Sequence, residues 1–186
     1  RERTRSPSLP ICCKRHNAPR AKQMIGQPEL YDLLSQMGIE FHYAEHPPTP
    51  TIDDARKYWN AAEGKHCKNI FLRNHKGSKH YLVILDCERS ICMSDLEKRL
   101  GEGKLSFASP ERLMRYLGVR PGSVSPFGLI NDAAHEVIVF IDANLAGYEL
   151  LAFHPNDNRV SLSISQADFR RFLERMGNRC EWRELY

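Results

Sequence analysis

The sequence predicts an α+β fold: a single compact domain whose mixed, mostly antiparallel sheet is flanked by helices. Strand-like segments outnumber helical ones, several adjoin through hairpin signals, and no run of parallel βαβ units is evident. At 186 residues the chain suffices for one domain with a real core.

The elements follow in order. Leu30, Leu33, Leu34 and Met37 fall at i, i+3, i+4 and i+7, one face of a helix that Gly38 ends. Glu40 to Ala44 reads as a short strand. His46-Pro-Pro-Thr-Pro50 must be an extended loop, because proline removes the backbone donor and restricts the residue before it. Thr51, with Asp54 three residues on, is placed to cap a helix running to about Trp59. Lys68 to Arg73 and Lys79 to Asp86 form a hairpin about His75-Lys-Gly-Ser78. Ser94 with Glu97 predicts a capped short helix ending at Gly101. Ser109-Pro110 opens another that reaches Leu117 and stops at Gly118. A loop from Val119 to Gly128 follows, then strands at Glu136 to Ile141, Tyr148 to His154 and Arg159 to Ser163. Ser165 with Asp168 caps a last helix that buries Phe169, Phe172, Leu173 and Met176. Cys180 to Leu185 reads as a closing strand.

Charge divides the chain. Residues 1–23 hold seven Lys or Arg and one acid, a net +6, whereas residues 24–186 hold 20 bases and 22 acids, a net −2. The first segment, rich in Arg, Ser and Pro and without apolar period, reads as a disordered extension or as sequence upstream of a start at Met24. An acid-poor transit peptide fits it too. The fold is therefore expected in residues 24–186. That body lacks the basic excess of a general nucleic-acid binder, so RNA contact must use a local patch. No apolar run approaches the 18 or so residues of a membrane span. The six cysteines form no CxxC and no zinc-ligand spacing with histidine. The expectation is free thiols in a reducing cytoplasm, with no structural metal.

Three places carry candidate chemistry. In the strand from Lys68, alternation puts Lys68 on one face with Ile70 and Leu72, and Asn69 on the other with Phe71 and Arg73. A lysine ending an apolar row can point into a pocket mouth or snorkel at the sheet rim. His154 ends the row of Leu150 and Ala152; a pocket donor or acceptor and a hydrogen-bonded core histidine both fit. In Gly118-Val-Arg-Pro-Gly-Ser-Val-Ser-Pro-Phe-Gly128, glycines let the backbone approach a ligand and its N–H groups could hold an oxyanion, or the loop is a connector. It is neither a Walker A loop nor a GxSxG elbow, since Val124 stands where the nucleophile belongs and Pro126 where the second glycine belongs.

Together, His66-Cys-Lys-Asn-Ile-Phe-Leu-Arg-Asn74, Leu117 to Leu129 and Phe153-His-Pro-Asn156 resemble the YbaK/prolyl-tRNA synthetase-associated domain family, over about Gln27 to Leu185. They are most similar to its free-standing branch, called ProXp-ala or PrdX. The resemblance implies a mixed α/β domain that deacylates mischarged tRNA(Pro), chiefly Ala-tRNA(Pro), without metal or cofactor. It implies the acceptor end of that tRNA as substrate and prolyl-tRNA synthetase as an associated protein. By motif, Lys68 matches the family's essential lysine and Asn69 its neighbour. Gly122 and Pro126 match the GxxxP loop, which also contains Ser123. His154 matches the histidine lining the amino-acid pocket. Arg112 and Arg115, three apart on one helix, are candidates for the acceptor stem, with Lys98 and Arg99 next; a solvated helix face fits them equally.

The missing triad is consistent with this chemistry. An aminoacyl ester is already activated, so the enzyme need only hold it, place a water and stabilise the oxyanion. A synthetic site built for proline rejects smaller alanine poorly, because a missing methylene is worth only about 1–3 kcal/mol. A second, smaller site corrects that. The alternatives are the same chemistry on Cys-, Ser- or Thr-charged tRNA, a non-catalytic tRNA- or synthetase-binding module, and a thiol enzyme built on Cys67.

Overall fold

A computed structural model describes residues 24–48, 56–58 and 64–186. Residues 1–23 and most of the helix expected from Thr51 to Trp59 lie outside them. Among the described residues there are eight strands and four α-helices. The strands are β1 (His42–Glu45), β2 (Lys65–Asn74), β3 (His80–Asp86), β4 (Leu105–Phe107), β5 (Val137–Asp142), β6 (Leu150–Phe153), β7 (Val160–Ser165) and β8 (Cys180–Arg183). The helices are α1 (Pro28–Gln36), α2 (Met93–Leu100), α3 (Pro110–Leu117) and α4 (Gln166–Met176). Short 3-10 helices span Pro126–Asn131 and Ala143–Gly147.

The sheet runs β1-β7-β6-β2-β3-β5-β8, with β4 on β2. Four ladders are antiparallel and three parallel, so the expected mixed α+β architecture holds. The central β2–β3 hairpin runs from Cys67↔Asp86 to Arg73↔His80. Its turn is closed by Asn74, whose Oδ1 accepts from the backbone N–H groups of Ser78 and Lys79.

Each face has its own core. On one, α1, α3 and α4 pack Leu30, Leu34, Leu113, Leu117, Phe169 and Phe172 against Phe71, Leu82, Ile84, Val139 and Ile141. On the other, α2 lays Leu96 and Leu100 on Leu72, Tyr81, Val83, Leu85 and Phe140. Alternation along β3 feeds both clusters, which is why all seven of its residues are buried.

The helix ends obey the capping rules in most cases. Ser109 Oγ caps α3 at the Arg112 N–H, and Ser165 Oγ caps α4 at the Asp168 N–H. Helix α2 departs from expectation. Its N-cap is Cys92, not Ser94, and Glu97 does not close a capping box. Glu97 instead accepts from the Leu105 N–H at 2.9 Å and pairs with Lys104 at 3.0 Å, fixing the turn into β4. That three-residue strand was not expected from the sequence.

Strand β4 divides one edge of β2. At one end β6 pairs with Lys65 and His66; at the other β4 pairs with Leu72, Arg73 and Asn74. Between them, residues 67–70 have no ladder partner on that edge. Lys68 and Asn69 occupy this opening.

Candidate active site

Parallel pairing sets Lys65 opposite Leu151 and His66 opposite Ala152. Two residues beyond the paired positions on each strand, Lys68 and His154 fall on the sheet face of His66 and Ala152. The ladder has ended before these two residues. Lys68 is half-buried and has no hydrogen bond or ion pair among the described residues. Asn69 lies on the opposite face, that of the larger core, with its Oδ1 buried and unpaired among the described residues. A buried amide oxygen without a donor is uncommon.

The face shared by Lys68 and His154 is polar across β6, β7 and β1. By register it carries Ala152, Ser161, Ser163, Ala44 and His42. Ser161 and Ser163 are both buried. Beyond the strand ends stand His46 and His154, their ring centroids 5.9 Å apart. His154 Nδ1 lies 2.8 Å from the Val160 carbonyl. A carbonyl only accepts, so Nδ1 carries the proton and Nε2 is left as an acceptor. Burial, more than the His46 imidazole nearby, holds the His154 pKa below the usual histidine range. His66 is pushed down to about 4, first by burial and then by His154, His46 and Lys65. Burial therefore keeps His66 and His154 neutral at pH 7.

The Gly118–Gly128 loop packs against the other face. Gly118 ends α3 in the left-handed region. The Ser123 N–H then donates to the Arg120 carbonyl at 3.1 Å, and Gly122 has φ 87°. Pro121-Gly122 at the centre of this bend matches a type II turn, where the third position needs glycine. Ser123 and Pro126 are buried. Ser125 Oγ accepts from the Phe127 N–H, starting the 3-10 helix at Pro126. Phe127 meets Phe153 edge-on at 5.8 Å, so the loop leans on the residue preceding His154. A polar clamp adds to this. Gln27 bonds Asn131 at the end of the 3-10 helix and Asn156 just after His154. The sequence reading missed this clamp, because its members are 104 and 129 positions apart.

Arg112 and Arg115 do not share a fate. Arg112 Nη1 donates to the Gly77 carbonyl at 2.9 Å and to His80 Nε2 at 2.6 Å, tying α3 to the β2–β3 turn. Arg115 is exposed, its guanidinium 5.3 Å from the Tyr116 ring. Lys98 is exposed and pairs with Asp95. Cys67 lies on the larger-core face, and burial pushes its thiol pKa far up. A thiol held protonated is a poor nucleophile, which weighs against the thiol-enzyme alternative.

The model of the aminoacyl-tRNA editing domain matches residues 46–172, from the first of the paired histidines to the last helix. The chain belongs to the aminoacyl-tRNA editing domain family. Among relatives of this editing domain, the prolyl-tRNA editing protein ProX of Acetoanaerobium sticklandii is 40% identical over 145 residues, which cover 78% of this chain and 88% of that protein. The mouse prolyl-tRNA synthetase associated domain-containing protein 1 is 32% identical over 153 residues, 81% of this chain and 90% of that one. A crystal structure described as a candidate trans-editing enzyme for prolyl tRNA synthetase superposes with TM-score 0.58 over 84% of this chain and 97% of that one. At 16% identity that likeness speaks for the fold. Editing is hydrolysis of the aminoacyl ester, and the chain is an aminoacyl-tRNA deacylase.

Proposed function

We propose that this editing domain acts in trans on mischarged tRNA(Pro), chiefly Ala-tRNA(Pro), releasing the amino acid and the tRNA without a metal. The observation that carries this reading is the β2 opening: Lys68, with no ion pair among the described residues, on the same sheet face as a neutral His154. Such a set suits positioning of a substrate that is already activated.

In this reading Lys68 holds the terminal phosphate or ribose of the acceptor end. The loop at Gly122 and Ser123, stiffened by Pro126, offers the Gly122 N–H to the acyl carbonyl, the Ser123 N–H being held by the Arg120 carbonyl. Asn69, its Oδ1 buried on the opposite face, is placed to hold a water behind Lys68. His154 walls the acyl pocket, and its Nε2 lone pair accepts from the substrate's ammonium group. The substrate's own vicinal hydroxyl helps to activate the water. Prolyl-tRNA synthetase is the associated protein, and the cytoplasm the compartment; the names of the relatives support the former. Among the described residues no helix is long and apolar enough to cross a membrane.

The test is single-turnover deacylation of Ala-, Ser-, Cys-, Thr- and Pro-tRNA(Pro). The expected outcome is fastest release of alanine and sparing of Pro-tRNA(Pro). Preference for another acyl group would move the specificity; no turnover of any would leave a binding module.

A further inference from the structure

Two consecutive residues of β7 hold two histidines. The Val160 carbonyl takes the Nδ1 proton of His154, and Ser161 Oγ lies 3.1 Å from His46 Nε2. His46 Nδ1 lies 2.9 Å from the Pro47 carbonyl, which only accepts, so Nδ1 carries a proton, and Nε2 is in hydrogen-bond contact with the Ser161 hydroxyl. The His46 backbone N–H donates to the Arg159 carbonyl at 2.9 Å, continuing the β1–β7 pairing past Glu45. On its other side the His46 ring stacks on Tyr58 at 6.2 Å, 18° from parallel. His46 is thus fixed at both ring nitrogens, at its backbone and on one ring face. His154 has one tether, the Val160 bond. On this side its ring meets that of His46, and at 5.9 Å and 56° the two rings leave no room for a ligand between them.

We infer that His46 is a specificity-determining positioning residue of the deacylation site, backing His154 so that the wall of the acyl pocket stays closed to groups larger than alanine. This rests on the reading of His154 as that wall. Removing the His46 side chain opens an imidazole-sized space into which the His154 ring can tilt while keeping its Val160 bond. Glutamine at position 46 fills similar volume and presents an amide oxygen to Ser161, so it should preserve the wall. Ser161→Ala leaves the His46 ring its Pro47 hydrogen bond and its Tyr58 stack, and should loosen the wall in part.

The experiment compares wild type, His46→Ala, His46→Gln and Ser161→Ala by two readouts. One is single-turnover deacylation of Ala- and Pro-tRNA(Pro). The other is binding of amide-linked, non-hydrolysable alanyl- and prolyl-adenosine, which needs no turnover. His46→Ala is expected to shift the proline-to-alanine ratio towards proline by about tenfold in both readouts, the scale of one methylene's worth of discrimination. His46→Gln should stay within about twofold of wild type, and Ser161→Ala should fall between. A folded His46→Ala with an unchanged ratio overturns the inference, as does a His46→Gln as permissive as His46→Ala. Wild type that binds the analogues selectively but turns over nothing would overturn the proposed activity and leave the binding ratios to decide on His46. Wild type that neither binds nor turns over would end both.

Discussion

Lys68 and His154 share a sheet face, yet their variants should fail differently. Lys68 has no ion pair to lose among the described residues, so Lys68→Ala should fold normally. It removes the fixed charge of a partly desolvated site, and the single-turnover rate should fall on the order of 10²-fold or more. Circular dichroism should be unchanged; near-native turnover by a folded variant would remove Lys68 from the chemistry. His154→Ala enlarges the pocket. Turnover of Ala-tRNA(Pro) should drop while larger acyl groups gain in relative rate, and an equal loss on every substrate would assign His154 to the chemistry or the core. The alternation pattern had placed both side chains on pocket-side rows. It could not show that the two rows are one, because that needs the parallel β2–β6 register.

At the scale of elements, α3 shows how a charge pattern misleads. Arg112 and Arg115 look equivalent at i and i+3, but Arg112 is committed to Gly77 and His80, whereas Arg115 is open to solvent. Arg115→Glu should weaken tRNA binding and flatten its salt dependence, with the melting temperature unchanged. Arg112→Ala should act mainly on stability, about 1–3 kcal/mol, because the Gly77 carbonyl and His80 Nε2 lose their donor. A variant pair with these effects exchanged would reverse the assignment; binding data against salt, with thermal melts, decide. Elsewhere local rules served well. The serine caps of α3 and α4 and the glycine stop of α3 were legible, since each is set by neighbours within four residues. The Glu97 capping box was not, because Leu105 and Lys104, from the next turn, compete for the same carboxylate. Strand β4 escaped notice for a related reason: three residues carry too little pattern, and only pairing with β2 defines them.

For the whole molecule, two buried histidines set the acid limit. His66 and His80 are each lowered to about 4, both by burial first; in His80 the charges of Arg112, Arg115 and Arg73 follow. Between about pH 6.5 and 4 the unfolded chain therefore binds more protons than the folded one. Stability is full above pH 6.5 and falls as the pH drops towards 4, by up to about 3 kcal/mol for each histidine. Melting temperature against pH should show that slope, and His80→Gln should flatten part of it; a flat wild-type profile would contradict the burial argument. The basic segment has no core-forming pattern, and we expect deletion of residues 1–23 to leave melting temperature and deacylation rate nearly unchanged. A large loss of either would place that segment in the working protein.

The sequence by itself determined the α+β class, most of the elements and their caps, the core face of the last helix, and three motifs sufficient for the family. These rest on period, turn chemistry and local composition, which act over a few residues. The tertiary structure alone decided the strand order, the β2 opening that exposes Lys68, and the unequal roles of Arg112 and Arg115. It alone joined Gln27, Asn131 and Asn156, and brought His46 beside His154. Each of these depends on contacts between residues distant in the chain, fixed by sheet register and by burial. No periodicity in a linear sequence encodes which strand edge lies beside which, and at this protein's site that pairing determines which side chains meet.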